Sequence, residues 1–414
     1  MNTPARVTVI GAGIVGIACA EHLRRAGHEV TVVDRQAPGD GTSFGNAGVF
    51  ASCAVVPVAI PSVLWKAPGM LLDPHGPLSL RWRYLPHALP WLLRLLSNAR
   101  HQRVTRIAEA LARMVSDSLG EHQQLARGTV AERWVRPSPY LYVYRDQAEY
   151  RADRYGWDLR RANGVRARVL RDGEVQEQEP AIAPRFKLAV AVEDHGFSPD
   201  PSRLVKALAE HFVTHGGTLL ERTVKDIEIG PDGPRSLLTD VDRVPVEKLV
   251  VAAGPWSGWL AARLGSPVPL EAERGYHVTV QGSGVSLKGP VMSAHGKFVS
   301  TSMEPGLRLA GLVEFAGLDA APDYRHSAGL LAQARELFPD ADFTRYTEWM
   351  GQRPSLPDSL PVIGRSPKFP SVYFAFGHQH VGLTGGPRTG RWIADLVSGR
   401  EPNADLRAFR VDRF

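Results

Sequence analysis

The 414-residue sequence predicts an α/β fold in which a Rossmann-like domain is interrupted by an inserted α+β domain of strands and helices. Three observations predict it. From Val7 to Asp34 a strand, a glycine-rich turn, a helix, a second strand and a terminal acid follow in that order. The third parallel strand that a doubly wound half would add next is missing, and a Pro-, Trp- and Leu-rich stretch from Pro57 to Ser97 stands in its place. Helix and strand patterns of the first kind resume near Asp200.

The opening unit can be justified residue by residue. Val7-Thr8-Val9-Ile10 is β-branched and short, as a strand should be. It enters Gly11-Ala12-Gly13-Ile14-Val15-Gly16, a helical pattern runs through Cys19, Ala20 and Leu23 to Ala26, and Gly27 supplies the stop. Gly11 permits the tight turn, Gly13 lets a pyrophosphate approach the backbone, and Gly16 lets helix and sheet close up. The pyrophosphate would lie on the unpaired N–H groups that open the helix at Ile14 and Val15. Asp34, ending Val30–Val33, would accept hydrogen bonds from an adenosine ribose, which favours NAD or FAD over NADP; Arg35 beside it is the one contrary charge. A secretion signal does not fit, because Glu21, His22, Arg24 and Arg25 follow at once.

The loop Thr42-Ser43-Phe-Gly-Asn46-Ala47-Gly48 is built of small residues. An uncharged run from Gly45 to Trp65 contains Pro57 and Pro61 and reads as a loop over a buried ligand, not a membrane span. One long amphipathic helix is expected over Gln102–Leu125, a strand over Tyr140–Tyr144, a helix over Gln147–Asn163 and a strand at Ala189–Val192. A capped helix from Asp200, strands at Thr218–Val224 and Lys248–Ala253, strand-rich segments at Val268–Val280 and Lys297–Phe315, the strand Val372–Phe376 and a closing helix over Pro387–Val397 complete the pattern. The expected division is a cofactor domain of residues 1–54, 196–266 and 345–414, with a cap of 55–195 and 267–344.

The composition, 43% hydrophobic and 22% charged, suits a folded, water-soluble chain. The net charge of +6 comes from dispersed arginines, with no basic tract interleaved with aromatics, so nucleic acid is a poor partner. Two cysteines, Cys19 and Cys53, make neither a disulfide framework nor a metal site and point to a cytoplasmic compartment. The Trp/Leu-rich stretch has two readings: a helical layer on the core, which is favoured, or a surface touching the cytoplasmic membrane face.

Taken together, the motifs resemble the flavin-dependent D-amino-acid oxidase superfamily, and within it most closely the bacterial D-amino-acid dehydrogenases, including the D-hydroxyproline type. The resemblance rests on Gly11–Asp34, Thr42–Gly48, Ala252-Ala253-Gly254-Pro-Trp256-Ser257, Gly351-Gln-Arg353-Pro with Pro361–Gly364, Gly377-His378 with Gly382 and Thr384, and Phe409–Phe414. It implies non-covalent FAD, with Ser43, Asn46, Ala47 and Gly48 along the isoalloxazine ring and Val224 against the adenine. The Gly382-Leu383-Thr384 segment would point its helix start at the flavin C2 carbonyl.

It also implies the reaction: hydride transfer from the substrate Cα to flavin N5, oxidatively deaminating D-amino acids or cyclic D-imino acids such as D-hydroxyproline, with electrons passed to a quinone or other acceptor. A glycine- or sarcosine-type oxidase using O2, an opine-type dehydrogenase subunit and an NAD-binding protein are the alternatives. Arg353 matches the arginine that grips the substrate carboxylate in the glycine-oxidase branch. Arg274 is the second candidate clamp. Tyr276 and His277 share a strand on opposite faces, so only one should line the cleft. His378 is expected near the ring, and His295, Glu314 and His380 are polar residues in stretches near it. No metal is expected.

Overall fold

A computed structural model describes residues 4–62 and 78–414. Trp65, in the Trp/Leu-rich stretch, and the end of the uncharged run lie outside the described residues. Arg6–Ile10 occupies the interior of a six-stranded sheet, parallel to Glu29–Asp34 on one side and Lys248–Val251 on the other. Thr218–Glu221 and Val372–Phe376 extend it, both parallel, and the edge strand Val362–Arg365 runs antiparallel. Three separated pieces of sequence thus build one sheet.

The β-branched strands are buried on both faces, as a parallel sheet requires. Val30, Val32 and Val250 meet helices Ile14–Arg25, Pro201–Thr214 and Gly382–Val397. Val33, Leu249 and Val251 pack on the opposite side with Ile227, Leu237 and Val244 from a three-stranded antiparallel sheet of Val224–Gly230, Gly233–Thr239 and Arg243–Pro245. Each fully buried aliphatic contributes about 1.5–3 kcal/mol. Helix Gly382–Val397 lies so close to the first helix that a Cβ at Gly390 would stand 2.5 Å from the Ala18 carbonyl carbon.

The cap is a ten-stranded sheet, ordered Tyr346–Ser355, Glu271–Val280, Gly306–Phe315, Phe298–Met303, Val291–Ser293, Arg136–Tyr144, Leu188–Phe197, Val49–Phe50. Leu78–Leu80 and Ala167–Arg171 pair at its flanks. Tyr346–Ser355 and Val49–Phe50, which the expected boundaries give to the cofactor domain, pair here instead, because each has its hydrogen-bonding partner in the larger sheet.

Three helices also differ from expectation. The Gln102–Leu125 pattern is broken at Asp117, whose φ of +56° divides it into His101–Val115 and Ser118–Ala126. The break re-aims the second piece, so that Ser118 Oγ donates to Thr384 O at 2.8 Å and His122 Nε2 donates to Leu383 O at 2.8 Å. Asp153 likewise separates Gln147–Ala152 from Arg154–Ala162. The closing helix starts at Gly382 and carries Pro387 inside its second turn; the Leu383 carbonyl that the proline leaves without a helical donor accepts instead from His122 Nε2.

Candidate functional site

A cleft of about 1250 Å³, part of it open to solvent, runs along the carboxyl ends of the parallel strands, where open α/β sheets place ligands. Its floor is the glycine-rich turn, and the three glycines there do three different jobs. Gly11 takes φ +115° and donates its N–H to Val33 O at 2.9 Å; a Cβ on it would lie 2.3 Å from Ala252 O. At Gly16 a Cβ would stand 1.8 Å from Gly11 O, so this residue sets helix-to-turn packing and does not line the cleft. Gly13 faces the cleft, and a Cβ there would meet only Ser43 Oγ, at 3.3 Å. Bare backbone at a helix start is what a pyrophosphate needs.

Ser43 Oγ accepts the Ile14 N–H at 3.0 Å, joining the small-residue loop to this helix start. Asp34 accepts the N–H of Ala12 at 2.6 Å and of Gln36 at 3.0 Å while lining the cleft. Around it stand Arg222, Thr223 and Val224, with Arg222 N–H donating to Asp34 O at 2.7 Å. The Arg35 guanidinium stacks 3.7 Å above the Trp256 ring. Farther along, Thr42, Asn46, Ala253, Gly254, Gly382 and Leu383 line the same cleft, together with Ile14 and Val15.

Ala47, Gly48 and Thr384 support the wall and do not line it. Ala47 O accepts from Thr301 Oγ1 at 2.8 Å, Gly48 holds φ +78°, and Thr384 Oγ1 both accepts from Ala51 N–H and donates to Val49 O. Gly377, named in the Gly-His motif, lines the cleft, and so do Gly39, Gly41, Arg222, Thr223 and Gln379, which sequence reasoning missed. The Gly39-Asp40-Gly41 spacing and the two residues ahead of Val224 were the available signals; Gln379, at φ +50°, had none.

His378 lines the cleft but is itself buried, its Nε2 3.0 Å from Thr389 Oγ1. The Thr389 hydroxyl proton goes to Gly385 O, so the imidazole is the donor in that pair. Burial pulls its pKa down to about 3, so it is neutral at physiological pH.

The cap strand Glu271–Val280 sends Tyr276 and His277 to opposite faces, and neither of them lines the cleft. Tyr276 turns to the helix-covered face, where its OH donates to Glu314 Oε2 at 2.5 Å and its ring meets His326. Arg274 shares that face, is fully buried, and pairs with Glu314 at 3.0 Å; Arg81 donates to the other carboxylate oxygen at 2.8 Å. Neither residue lines the cleft, because strand alternation sends both away from it. His277 faces the other way: its Nδ1 lies 3.2 Å from Gly45 O and its ring stacks on Trp349. Two residues on, Thr279 meets Arg308, a buried guanidinium that donates to Phe44 O at 2.8 Å and Asn46 O at 2.9 Å. Burial lowers the Arg308 pKa to about 10.

Arg353 lies on the next strand, which touches the small-residue loop: Thr42 Oγ1 donates to Gln352 O at 2.8 Å, and Pro354 lines the cleft. Its side chain is 21% exposed and donates through Nη1 to Glu273 Oε1 at 2.8 Å. His380 is exposed, and close enough to Arg353 and Glu273 that both act on its charge. His295 lies elsewhere, exposed beside Glu149.

The model of FAD-dependent oxidoreductases matches residues 6–396. The chain is 38% identical to a D-amino-acid oxidase of Bradyrhizobium diazoefficiens, over 99% of this chain and 98% of that one. It is 36% identical to a D-amino acid dehydrogenase of Paramagnetospirillum magneticum, over 99% of both. Among solved structures, a glycine oxidase from Geobacillus kaustophilus superposes with a TM-score of 0.71 at 23% identity over 99% of both chains. An L-proline dehydrogenase from P. horikoshii superposes with a TM-score of 0.74 at 19% identity over 100% of this chain and 98% of that one; at such identities the likeness is one of fold.

Proposed function

The chain belongs to the family of FAD-dependent oxidoreductases, and from that premise we propose that it oxidatively deaminates D-amino acids or cyclic D-imino acids. The observation that carries this reading is the pairing of a backbone-lined dinucleotide cleft with a partly exposed Arg353 on the cap strand beside it. The names carried by the Bradyrhizobium and Paramagnetospirillum relatives support D-amino acids as the substrate class.

The cleft fits FAD: Gly13 keeps a side chain off the pyrophosphate path, and Asp34 and Val224 would meet the adenosine end. When bound, FAD supplies the acceptor for the hydride that leaves the substrate Cα. The protein's own contribution is position. Arg353 binds the substrate carboxylate, and its planar fork fixes orientation as well as place. Arg308, clamped on Phe44 O and Asn46 O, holds the loop against which the ring would lie. His378 is kept neutral by burial and fixes the turn ahead of helix Gly382–Val397, whose N-terminus adds positive potential at the cleft. Arg274 and Tyr276 stabilise the cap from its far face.

A quinone or similar carrier as electron acceptor, reached at an anionic membrane surface, belongs to the same reading. What supports it is helix Leu85–Ser97 with its approach: Trp82 is 67%, Leu89 45% and Leu93 58% exposed, Arg83, Arg94 and Arg100 are exposed around them, and residues 78–108 hold no Asp or Glu. Among the described residues no helix is long and apolar enough to cross a membrane. The oxidase name of the Bradyrhizobium relative favours O2 as the alternative acceptor.

The test is a product assay with an artificial electron acceptor. A D-amino acid should yield 2-oxo acid and ammonia in equal amounts, and the L-enantiomer should yield neither. Absence of product from any D-amino or D-imino acid with fully flavinated protein would end the proposal. Hydrogen peroxide formed in air, with no faster turnover on a quinone, would assign the acceptor to O2.

A further inference from the structure

The surroundings of Arg353 are more constructed than a carboxylate clamp alone requires. Glu273 and Arg353 are direct cross-strand neighbours. The guanidinium lies across Gly275, where a Cβ would stand within 2.4 Å of Nη2. Opposite Gly275 the third strand bulges at Leu312, which takes φ +62°, a conformation costly for a leucine. The bulge turns two carbonyls to the guanidinium: Leu312 O lies 3.1 Å from Nη1 and Gly311 O 3.4 Å from Nη2. Nη1 thus carries a strong carboxylate contact as well, whereas Nη2 has only a long one.

Glu273 cannot easily turn aside. Its Oε1 takes Arg353 Nη1 at 2.8 Å, and its Oε2 accepts from Ser355 Oγ at 3.0 Å. The carboxylate side chain is 6% exposed against 21% for its partner, so what remains accessible of the pair is mainly guanidinium, next to Pro354 on the cleft wall. One positive and one negative charge leave the pair neutral before any substrate arrives. Glu271, two residues earlier on the same face, is a second buried carboxylate, bound by the Tyr84 hydroxyl at 2.9 and 3.1 Å and the Ala272 N–H at 2.9 Å.

We infer that Glu273 is a specificity-determining residue: it occupies one edge of Arg353, leaves the other for a single substrate carboxylate, and sets the site against acidic side chains and in favour of neutral or cationic ones. This rests on the reading of Arg353 as the carboxylate-binding group. A zwitterionic amino acid adds no net charge, but a dicarboxylic one brings an uncompensated anion to within several ångströms of a fixed, buried carboxylate. At an effective dielectric near 20 that repulsion is worth roughly tenfold or more in affinity, and a cationic side chain gains by a similar factor.

The experiment compares flavin-loaded wild type with Glu273→Gln, which keeps shape and removes the charge. Rates of anaerobic flavin reduction are measured with D-alanine, D-aspartate and D-lysine. The inference requires the limiting rate of flavin reduction divided by Kd for D-aspartate, relative to D-alanine, to rise roughly tenfold in the variant, and that for D-lysine relative to D-alanine to fall by a similar factor. Ratios within twofold of wild type would overturn it. Should the variant not fold, the wild type alone decides by spectral titration with two non-reducible ligands: propionate must perturb the flavin at lower concentration than succinate. Equal or tighter succinate binding would sink the inference. Failure of every D-amino acid to reduce the flavin, with propionate still preferred, would instead count against the deamination reading.

Discussion

The cofactor cleft and the cap sheet treat buried polarity in opposite ways. The cleft has bare backbone and glycines at its helix start, with larger side chains such as Asp34, Arg222 and Trp256 around them. The cap buries charged side chains and satisfies them in groups: Arg274 and Arg81 on Glu314, Arg353 and Ser355 on Glu273, Arg308 on two loop carbonyls. Bare backbone at a helix start suits a large anionic ligand. A sheet of paired charges holds a few side chains at fixed places, which suits recognition of a small charged substrate. The first arrangement is sensitive to added volume, the second to lost partners.

That contrast can be broken from either side. The largest effect is expected from Gly13→Val, which fills the one open Cβ direction on the pyrophosphate path; the purified protein should carry no flavin by visible absorption while keeping its circular dichroism. Full flavin content would remove Gly13 from the site. On the cap side, Glu314→Ala leaves the Arg274 guanidinium buried without its carboxylate and should cost about 3–5 kcal/mol in denaturant-induced unfolding. A loss below about 1 kcal/mol would mean that water or rearrangement replaces the pair.

A pH scan probes both regions at once. His277 and His378 are held neutral by burial, each near pKa 3, whereas an unfolded histidine titrates near 6.5. Between these values the unfolded chain binds the protons, so the stability due to burying neutral imidazole is complete above pH 6.5 and declines as pH falls toward 3. At pH 5 the loss is about 2 kcal/mol per imidazole. Tm should therefore drop between pH 7.5 and 5, and His378→Asn should reduce the slope; an unchanged slope would show that other groups govern the acid limb. The smallest expected effect is that of Arg353→Lys, which keeps charge but loses the fork: KM should rise about tenfold with flavin content intact. An unchanged KM would place the substrate carboxylate elsewhere.

The same contrast explains what could be read from the residues alone. The Val7–Asp34 unit is local, its glycine spacing carries its own meaning, and its strand, turn, helix and strand all stand where expected. The lining residues from Thr42 to Asn46 and around Gly254 and Gly382 were legible through the motifs they share with the resembled superfamily. The cap was not legible in this way. Alternation shows that Tyr276 and His277 point apart, but not which side faces the cleft; that depends on helix His326–Leu337 covering one face. Arg353 meets Glu273, 80 residues earlier in the chain, through strand register, and the Leu312 bulge that completes the site has no sequence signal, since leucine rarely adopts positive φ.

The most direct measurement is anaerobic mixing of the purified holoprotein with D-alanine and, separately, L-alanine, followed at the flavin absorbance. Bleaching by the D-enantiomer alone is the result expected of a family cleft served by Arg353 on the cap. Bleaching by both, or a folded and flavinated protein that responds to no D-amino or D-imino acid, would contradict it.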